Sequence, residues 1–327
     1  MAAAEQLKSL IRSFSEGNES AFYATALQIA ATEAKKGHRV LADELRKLID
    51  KSKASAGVSN VGIVKKLPIN AAQKELNDLL ELVHSHIHLN DMVLDNQLKN
   101  SMQRILDEQK KLELLLQHNL RPRKKLLFTG PPGCGKTMAA SMIAGELGIP
   151  LFIIRMDGLL SRYMGESISK LRLIFDAMTQ FRAVYLFDEF DSIGTTRTGG
   201  NEVGEIKRVL NSFLLQIEKD DSNSIVIAAT NLPETLDAAL FRRFDDIIKF
   251  QLPTKEYIEK LFKLELSNFK PSKEYDFSLI AQNAEGLSYA EVHKICEDII
   301  KEFLVYGSAG IDQDRLIEYA DKRKQPF

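Results

Sequence analysis

The chain contains little of what would place it in a specialised class of protein. It has only two cysteines among 327 residues, which is too few for a disulfide framework and fits a reducing compartment such as the cytoplasm. No apolar run approaches the roughly 18 residues that cross a bilayer, and the first residues lack the charged-then-apolar pattern of a signal peptide. The net charge is −1, which gives no reason to expect nucleic acid or a membrane as a partner. We therefore expect a soluble cytoplasmic protein.

What the chain does have is the composition of an ordinary globular protein. Hydrophobic residues make up 44% of it and charged residues 27%, so it can bury a full core over two or three compact units. The two short basic stretches, Arg121–Lys125 and Lys322–Lys324, are expected to be solvated surface.

Changes in texture along the chain predict four regions. Residues 1–50 have amphipathic helical spacing and predict a small helical domain. Residues 51–70 are rich in Lys, Ser, Ala and Gly and predict a flexible linker. Residues 71–253 begin with helical spacing and continue with alternating strands and helices. Residues 254–327 are expected to form helices only, at Tyr257–Asn268, Ser278–Gln282, Tyr289–Tyr306 and Asp312–Lys324.

Three histidines, His84, His86 and His88, fall in the stretch 71–118, where long helices are expected. Residues two apart on a helix point about 200° from one another, so these side chains would not converge on one ion. No metal site is expected there.

From Leu126 onward, short apolar runs alternate with helix-like segments, as in a parallel sheet that helices cover on both faces. The predicted strands are Leu126–Phe128, Leu151–Ile154, Val184–Phe187, Ile225–Ala229 and Ile247–Phe250. The predicted fold is therefore α/β, a parallel sheet with helices on both faces, with a helical region after it and a small helical bundle before it.

A glycine-rich turn follows the first of these strands and precedes a helix. Its residues are Gly130, Pro131, Pro132, Gly133, Cys134, Gly135, Lys136 and Thr137. The backbone N–H groups of such a turn surround the phosphates of a nucleotide, Lys136 adds a charge near the β- and γ-phosphates, and Thr137 supplies a hydroxyl to Mg²⁺. The motif predicts an α/β fold of the P-loop kind that binds ATP or another nucleoside triphosphate. Since Cys134 lies within the turn, a thiol beside the phosphates whose alkylation blocks ATP is a further hypothesis.

A second apolar strand ends in two acids, Asp188 and Glu189. At the carboxyl edge of a parallel sheet, Asp188 would face the Mg²⁺ beside Thr137. Glu189 would lie one step further, where a carboxylate can act as general base on the attacking water. Together the two motifs predict a site of ATP hydrolysis.

The chain resembles the AAA ATPases of the AAA+ superfamily, the branch that includes katanin, spastin and the membrane-fusion and proteasomal ATPases. The resemblance covers roughly residues 91–324. It rests on five motifs in the family's order, at Gly130–Thr137, Leu160–Ser167, Leu186–Asp191, Ala228–Asn231 and Leu236–Asp245.

The resemblance implies three further residues for catalysis. Asn231 is similar to the family's polar sensor, which lies between the nucleophile and the γ-phosphate. Arg242 and Arg243 are similar to its arginine fingers, which reach the nucleotide of a neighbouring subunit and imply a ring, here a hexamer. The Pro-Gly often found between the two arginines is absent, so their division of labour is left open.

The resemblance also implies a nucleotide pocket completed from both sides. Gly286–Glu291 is similar to the family's lid motif, with Tyr289 and Glu291 in place of the usual Gly and Asp. Ala290 and Met138 are then expected at the nucleotide, and Met92 and Val93 near the adenine.

Tyr163 and Met164 lie where family members carry the first loop of a central pore, which grips an extended polypeptide. Thr195–Gly204 fits a second pore loop, and Glu205 and Arg208 are expected to begin the helix after it. The resemblance thus implies a ring that remodels or unfolds a protein, bound through residues 1–50. The alternative is a regulatory ATPase that activates a partner without threading it. A DNA-acting machine is disfavoured by the neutral charge and the aromatic pore loop.

Overall fold

The computed structural model describes residues 71–159, 166–194, 200–269, 275–307 and 311–324, with six helical residues between 25 and 47. It divides into two compact units, Met1–Pro68 and Ile69–Phe327. Apart from those six residues, the predicted N-terminal helices and the linker 51–70 lie outside the described part of the chain.

Six strands and thirteen helices are described in the second unit. The strands are β1 (Leu80–Val83), β2 (Lys125–Thr129), β3 (Leu151–Ile154), β4 (Val184–Phe187), β5 (Ile225–Thr230) and β6 (Asp246–Lys249). The helices up to β6 are α1 (Ala71–Leu79), α2 (Asn96–Lys110), α3 (Leu112–Gln117), α4 (Lys136–Leu147), α5 (Met156–Leu159), α6 (Glu166–Gln180), α7 (Asp191–Gly194), α8 (Gly200–Lys219) and α9 (Ala238–Phe241). The helices after β6 are α10 (Lys255–Glu265), α11 (Phe277–Asn283), α12 (Tyr289–Tyr306) and α13 (Gln313–Lys324). Short 3₁₀ turns lie at Leu89–Asp91 and Pro233–Thr235.

The strands form one sheet in the order β1-β3-β4-β5-β2-β6. All neighbouring pairs are parallel except β1 with β3. Every residue of β4 and β5 is buried, because helices cover both faces of the sheet. The predicted α/β fold with a largely parallel sheet is confirmed.

The edge strand β1 corrects the helical prediction for 71–118. Residues 80–83 pair with β3 from Leu80↔Ile154 to Val83↔Leu151, and the chain then runs without helix through His84, His86 and His88. The helical argument against a metal site was therefore wrong. Within the described residues, no group of three His, Cys, Asp or Glu side chains could hold a metal ion.

Alternate residues of the central strands enter two hydrophobic cores, one on each face of the sheet. Leu127 of β2 joins the first core, whereas its neighbours Leu126 and Phe128 join the second. The helices after β6 pack around a third core, which includes Phe262 and Ile295. These helices follow the predicted spans closely, and α12 has the predicted bounds.

The basic stretch Arg121–Lys125 is not simply solvated, as the sequence suggested. Lys124 is 7% exposed, and its Nζ lies 2.6 Å from Oδ2 of Asp220, which is also buried. Arg123 pairs with Glu108. These contacts lie at the amino end of the sheet, where β2 begins.

No helix in the described residues is long and apolar enough to span a bilayer.

Candidate active site

The glycine-rich turn connects β2 to α4 at the carboxyl end of the sheet. Gly130, Gly133 and Gly135 have φ of 142°, 72° and 92°, in the region that favours glycine. A Cβ on Gly130 would lie 2.1 Å from the carbonyl oxygen of Phe250, and one on Gly133 would lie 2.6 Å from Ser288 Oγ. Glycine is therefore required at both positions by conformation and by close packing.

Lys136, the first residue of α4, is directed into this turn and is 7% exposed. Its Nζ donates hydrogen bonds to the carbonyl oxygens of Gly130 (2.7 Å) and Pro131 (2.9 Å) and to Asn231 Oδ1 (2.7 Å). Burial lowers the pKa of the ammonium group, partly offset by the negative field of Asp188 and Asp191. All three hydrogen-bond acceptors are neutral, so the positive charge remains available to a phosphate.

Thr137 and Asp188, the predicted magnesium ligands, lie together although they are 51 residues apart. Thr137 Oγ1 donates a hydrogen bond to Asp188 Oδ2 at 2.6 Å. A hydroxyl and a carboxylate are the hard oxygen donors that Mg²⁺ prefers. The glycine-rich turn Gly130–Thr137 is called the phosphate turn from here on. The position of Thr137 and Asp188 beside it fits a metal ion bound with a nucleotide.

Glu189 lies next to this pair in a strained backbone conformation. Its φ is 50°, which is uncommon for a residue other than glycine, asparagine or aspartate. Its N–H donates to Asp188 Oδ1 at 2.9 Å, and the residue is exposed. Strain of this kind is concentrated at functional sites, and an exposed carboxylate beside the predicted metal ligands can accept a proton from water.

Asn231, the predicted sensor, follows the end of β5 and reaches the phosphate turn through Lys136. Its backbone N–H donates to Asp191 Oδ1 at 3.2 Å. Asp191 was assigned no role from the sequence. The one indication in the sequence is that Asp191 is the third acid within the four residues after β4.

The helical region after β6 contacts the phosphate turn directly. Ala290 donates its N–H to the carbonyl oxygen of Gly133 at 3.0 Å. Ser288 and Glu291 form a capping box at the start of α12, so the glutamate found where the family has aspartate closes the helix end. The lid motif predicted from the sequence therefore lies against the turn.

The segment before α2 contacts both the phosphate turn and the helical region after β6. The Met92 methyl group would be 3.8 Å from a Cβ on Gly135, and Val93 packs against the third core. Tyr289 is half-buried, and burial, with a contribution from Asp95, raises the pKa of its hydroxyl to about 12. Met92 and Val93 are thus placed between the phosphate turn and the helical region.

Arg242 and Arg243, which the sequence left equivalent, differ in the structure. Arg243 donates from Nε to Glu218 Oε2 at 3.3 Å and from Nη1 to the carbonyl oxygen of Ala239 at 3.4 Å. Arg242 is exposed and makes no hydrogen bond or ion pair to any residue that the structure describes.

The burial of Cys134 makes its thiol a poor target for the alkylation that was proposed from the sequence to block ATP. The residue is 3% exposed and belongs to the second core. Burial raises the pKa of its thiol, although Lys136 opposes this. By contrast Met138, in the first turn of α4, is 40% exposed.

The structure describes only some of the residues that were predicted to form pore loops. Tyr163 and Met164 lie outside the described residues. The predicted second loop, Thr195–Gly204, was too long, because α8 already begins at Gly200. Glu205 and Arg208 therefore lie inside this helix and do not begin it.

Comparison with known proteins gives matches over most of the chain. Residues 126–252 match the model of the "ATPase family associated with various cellular activities (AAA)". The uncharacterized AAA family ATPase y4kL of Sinorhizobium fredii is 35% identical over 305 residues, which are 93% of this chain and 90% of that protein.

Two ATP-dependent zinc metalloproteases FtsH are also similar. The one from Lancefieldella parvula is 30% identical over 72% of this chain and 37% of its own length. The one from a Sulfurovum species is 31% identical over 68% of this chain and 35% of its own length. The match thus spans little more than a third of either metalloprotease.

Proposed function

Because the chain belongs to the AAA family of ATPases, we propose that its hydrolysis of ATP drives a ring of subunits, a hexamer, that remodels or unfolds a protein. Residues 1–50 would bind the substrate or a partner and 51–70 would link them to the ATPase module. In that module, 71–253 would be the large α/β part and 254–327 the lid. The two cysteines are free thiols, in keeping with a cytoplasmic location.

Each part of ATP hydrolysis would fall to residues in or beside the phosphate turn. The N–H groups from Gly133 to Met138 would bind the phosphates while Lys136 exchanges a neutral acceptor for a phosphate oxygen. Thr137 and Asp188 would hold Mg²⁺, which supplies charge neutralisation at the phosphates when bound. Glu189 would take the proton of the attacking water, and Asn231 would hold the γ-phosphate and that water in register.

The observation that carries the ring is the contrast between the two arginines. Arg243 is held within its own subunit by Glu218 and Ala239, whereas Arg242 is exposed and unpaired within the described residues. An unpaired guanidinium is free to stabilise charge on a nucleotide bound by another copy of the chain. We therefore assign the trans-acting role to Arg242 and a supporting role to Arg243.

Similarity to ATP-dependent metalloproteases supports a protein as the substrate. The chain matches little more than a third of each metalloprotease, so we propose for it only the ATP-driven step. Tyr163 and Met164 would contact the substrate in the pore.

Mixing variants tests the shared site. Arg242→Ala lacks the arginine and Lys136→Ala lacks the lysine of the phosphate turn, so each variant should be nearly inactive alone. Each variant retains the residue that the other lacks. Mixed rings should recover part of the ATPase activity if Arg242 acts in trans. If the mixture stays as inactive as its components while rings form, a shared site is excluded.

Protein remodelling is tested with reduced casein, a permanently unfolded polypeptide. We expect casein to stimulate ATP turnover, and Tyr163→Ala to lose this stimulation while keeping basal turnover. Glu189→Gln should bind ATP, turn it over very slowly and retain bound protein. Stimulation that survives Tyr163→Ala would favour the regulatory switch.

A further inference from the structure

Asp191 joins the end of β5 to the chain that leaves β4. Its Oδ1 accepts a hydrogen bond from Thr230 Oγ1 at 3.0 Å and another from the backbone N–H of Asn231 at 3.2 Å. One carboxylate oxygen therefore binds two consecutive residues, the second of which is the proposed sensor.

Further hydrogen bonds hold the chain on both sides of this junction. Thr230 is fully buried, and its Oγ1 also accepts the N–H of Leu232 at 3.0 Å. The N–H of Phe190 donates to the carbonyl oxygen of Ala229 at 2.8 Å. The residue before Asp191 is thus tied to the same strand end as Asp191 itself.

Asn231 needs such an anchor because it lies just beyond the sheet. The last paired residues of β2 and β5 are Thr129 and Thr230, so the ladder supplies no partner for the N–H of Asn231. Asp191 supplies that partner, and the Asn231 side chain then accepts from Lys136 Nζ at 2.7 Å. The hydrogen bonds run from Asp191 through Asn231 to the lysine of the phosphate turn.

We infer that Asp191 is a positioning residue for ATP hydrolysis, which fixes the backbone of Asn231 so that its amide stays in register with Lys136. This inference rests on the sensor role proposed for Asn231. Asp191 Oδ1 accepts both hydrogen bonds and takes no direct part in the proposed mechanism, so the effect of Asp191 is on the geometry of Asn231. A displacement of about 1 Å in a catalytic group can cost roughly 100-fold in rate.

Two substitutions of Asp191 separate the accepting oxygen from the rest of the side chain. Asp191→Asn keeps an oxygen that can accept from Thr230 and Asn231, whereas Asp191→Ala removes it. In the full chain, we expect Asp191→Ala to lower kcat by about tenfold or more, with KM for ATP and the dissociation constant for ATP changed by less than about threefold. Asp191→Asn should restore most of kcat.

A double-mutant cycle with Asn231→Ala tests whether Asp191 affects kcat through Asn231. If Asp191 acts through Asn231, Asp191→Ala should have little further effect on kcat once Asn231 is alanine. Thr230→Val, which removes one donor to Asp191, should lower kcat less than Asp191→Ala, and Thr230→Ser should be close to the wild type. These two variants serve if Asp191→Ala folds poorly.

The outcomes distinguish the two ideas. Normal turnover by Asn231→Ala would overturn the sensor role and this inference together. An impaired Asn231→Ala beside a fully active Asp191→Ala would overturn the inference alone. Losses that multiply in the double variant would also overturn it, because Asp191 would then act independently of Asn231.

Discussion

The two ends of the sheet each bury a lysine, and the partners of these lysines differ. Lys124 and Lys136 are both 7% exposed. Lys124 Nζ donates to Asp220 Oδ2 and to the carbonyl oxygens of Asp220 and Ser222, at 2.6–3.0 Å. Lys136 has three acceptors as well, and none of them is charged.

This difference separates a lysine that holds the fold from one that is available to a ligand. At the amino end, the charge of Lys124 is neutralised by a carboxylate that is buried with it. At the carboxyl end, the charge of Lys136 has no direct counter-ion, and burial disfavours it. A phosphate would supply the missing negative charge.

The largest effect is expected at the amino end. Lys124→Ala would leave the Asp220 carboxylate buried without its partner, and we expect a loss of about 3–5 kcal/mol in the free energy of unfolding. Urea denaturation measures it. The double variant Lys124→Met with Asp220→Leu removes both charges and should recover most of the loss. If Lys124→Ala alone is as stable as the wild type, the Lys124–Asp220 pair does not stabilise the fold.

At the carboxyl end, the effect should fall on binding. We expect Lys136→Ala to weaken ATP binding by on the order of 100-fold or more, since it removes a charged donor from a site of phosphate recognition. Its free energy of unfolding should change much less than that of Lys124→Ala. Isothermal titration with ATP gives the affinity, and the Lys124→Met, Asp220→Leu variant should bind ATP normally as the folded control. Equal losses of stability at the two lysines would contradict the distinction.

Much of the carboxyl end could be predicted from the sequence because its signals are local. The glycines of the phosphate turn, Lys136 and Thr137 are contiguous, and Asp188 and Glu189 directly follow a buried strand. The central strands are apolar runs whose burial needs no partner to be recognised.

The remaining features depend on residues that are distant in the sequence. Leu80–Val83 becomes a strand only because β3 presents a free edge to it. The two arginines could not be told apart, since Glu218, which binds Arg243, lies 25 residues earlier. The burial of Lys124 likewise follows from Asp220, 96 residues later, and a short basic run gives no sign of it.

A smaller effect concerns the core beneath the phosphate turn. Because Cys134 is buried and its pKa is raised, iodoacetamide should modify it at least ~10-fold more slowly than the same thiol in urea, at neutral pH. The measurement uses Cys296→Ser, which leaves Cys134 as the single thiol. Fast modification that ATP prevents would instead support the hypothesis that alkylation of Cys134 blocks ATP binding.

The smallest effect compares two residues whose φ is positive and nearly equal. Asn119, before β2, has φ of 57° and Glu189, after β4, has φ of 50°. Asparagine tolerates this region through its short polar side chain, whereas glutamate does not. Asn119 is thus a residue type that suits its backbone conformation. Glu189 does not suit its conformation, but it supplies the carboxylate of the proposed general base.

Replacing Glu189 by Asn or by Gln removes the carboxylate in both cases, and only Asn suits the conformation. We expect both variants to lose ATP turnover, with Glu189→Asn the more stable by about 1 kcal/mol in urea denaturation. Asn119→Gln, the reverse change at the other end, should lose about as much. Since Glu189 is exposed, side-chain packing contributes little to the difference between its two variants, so equal stabilities would show that its backbone is not strained.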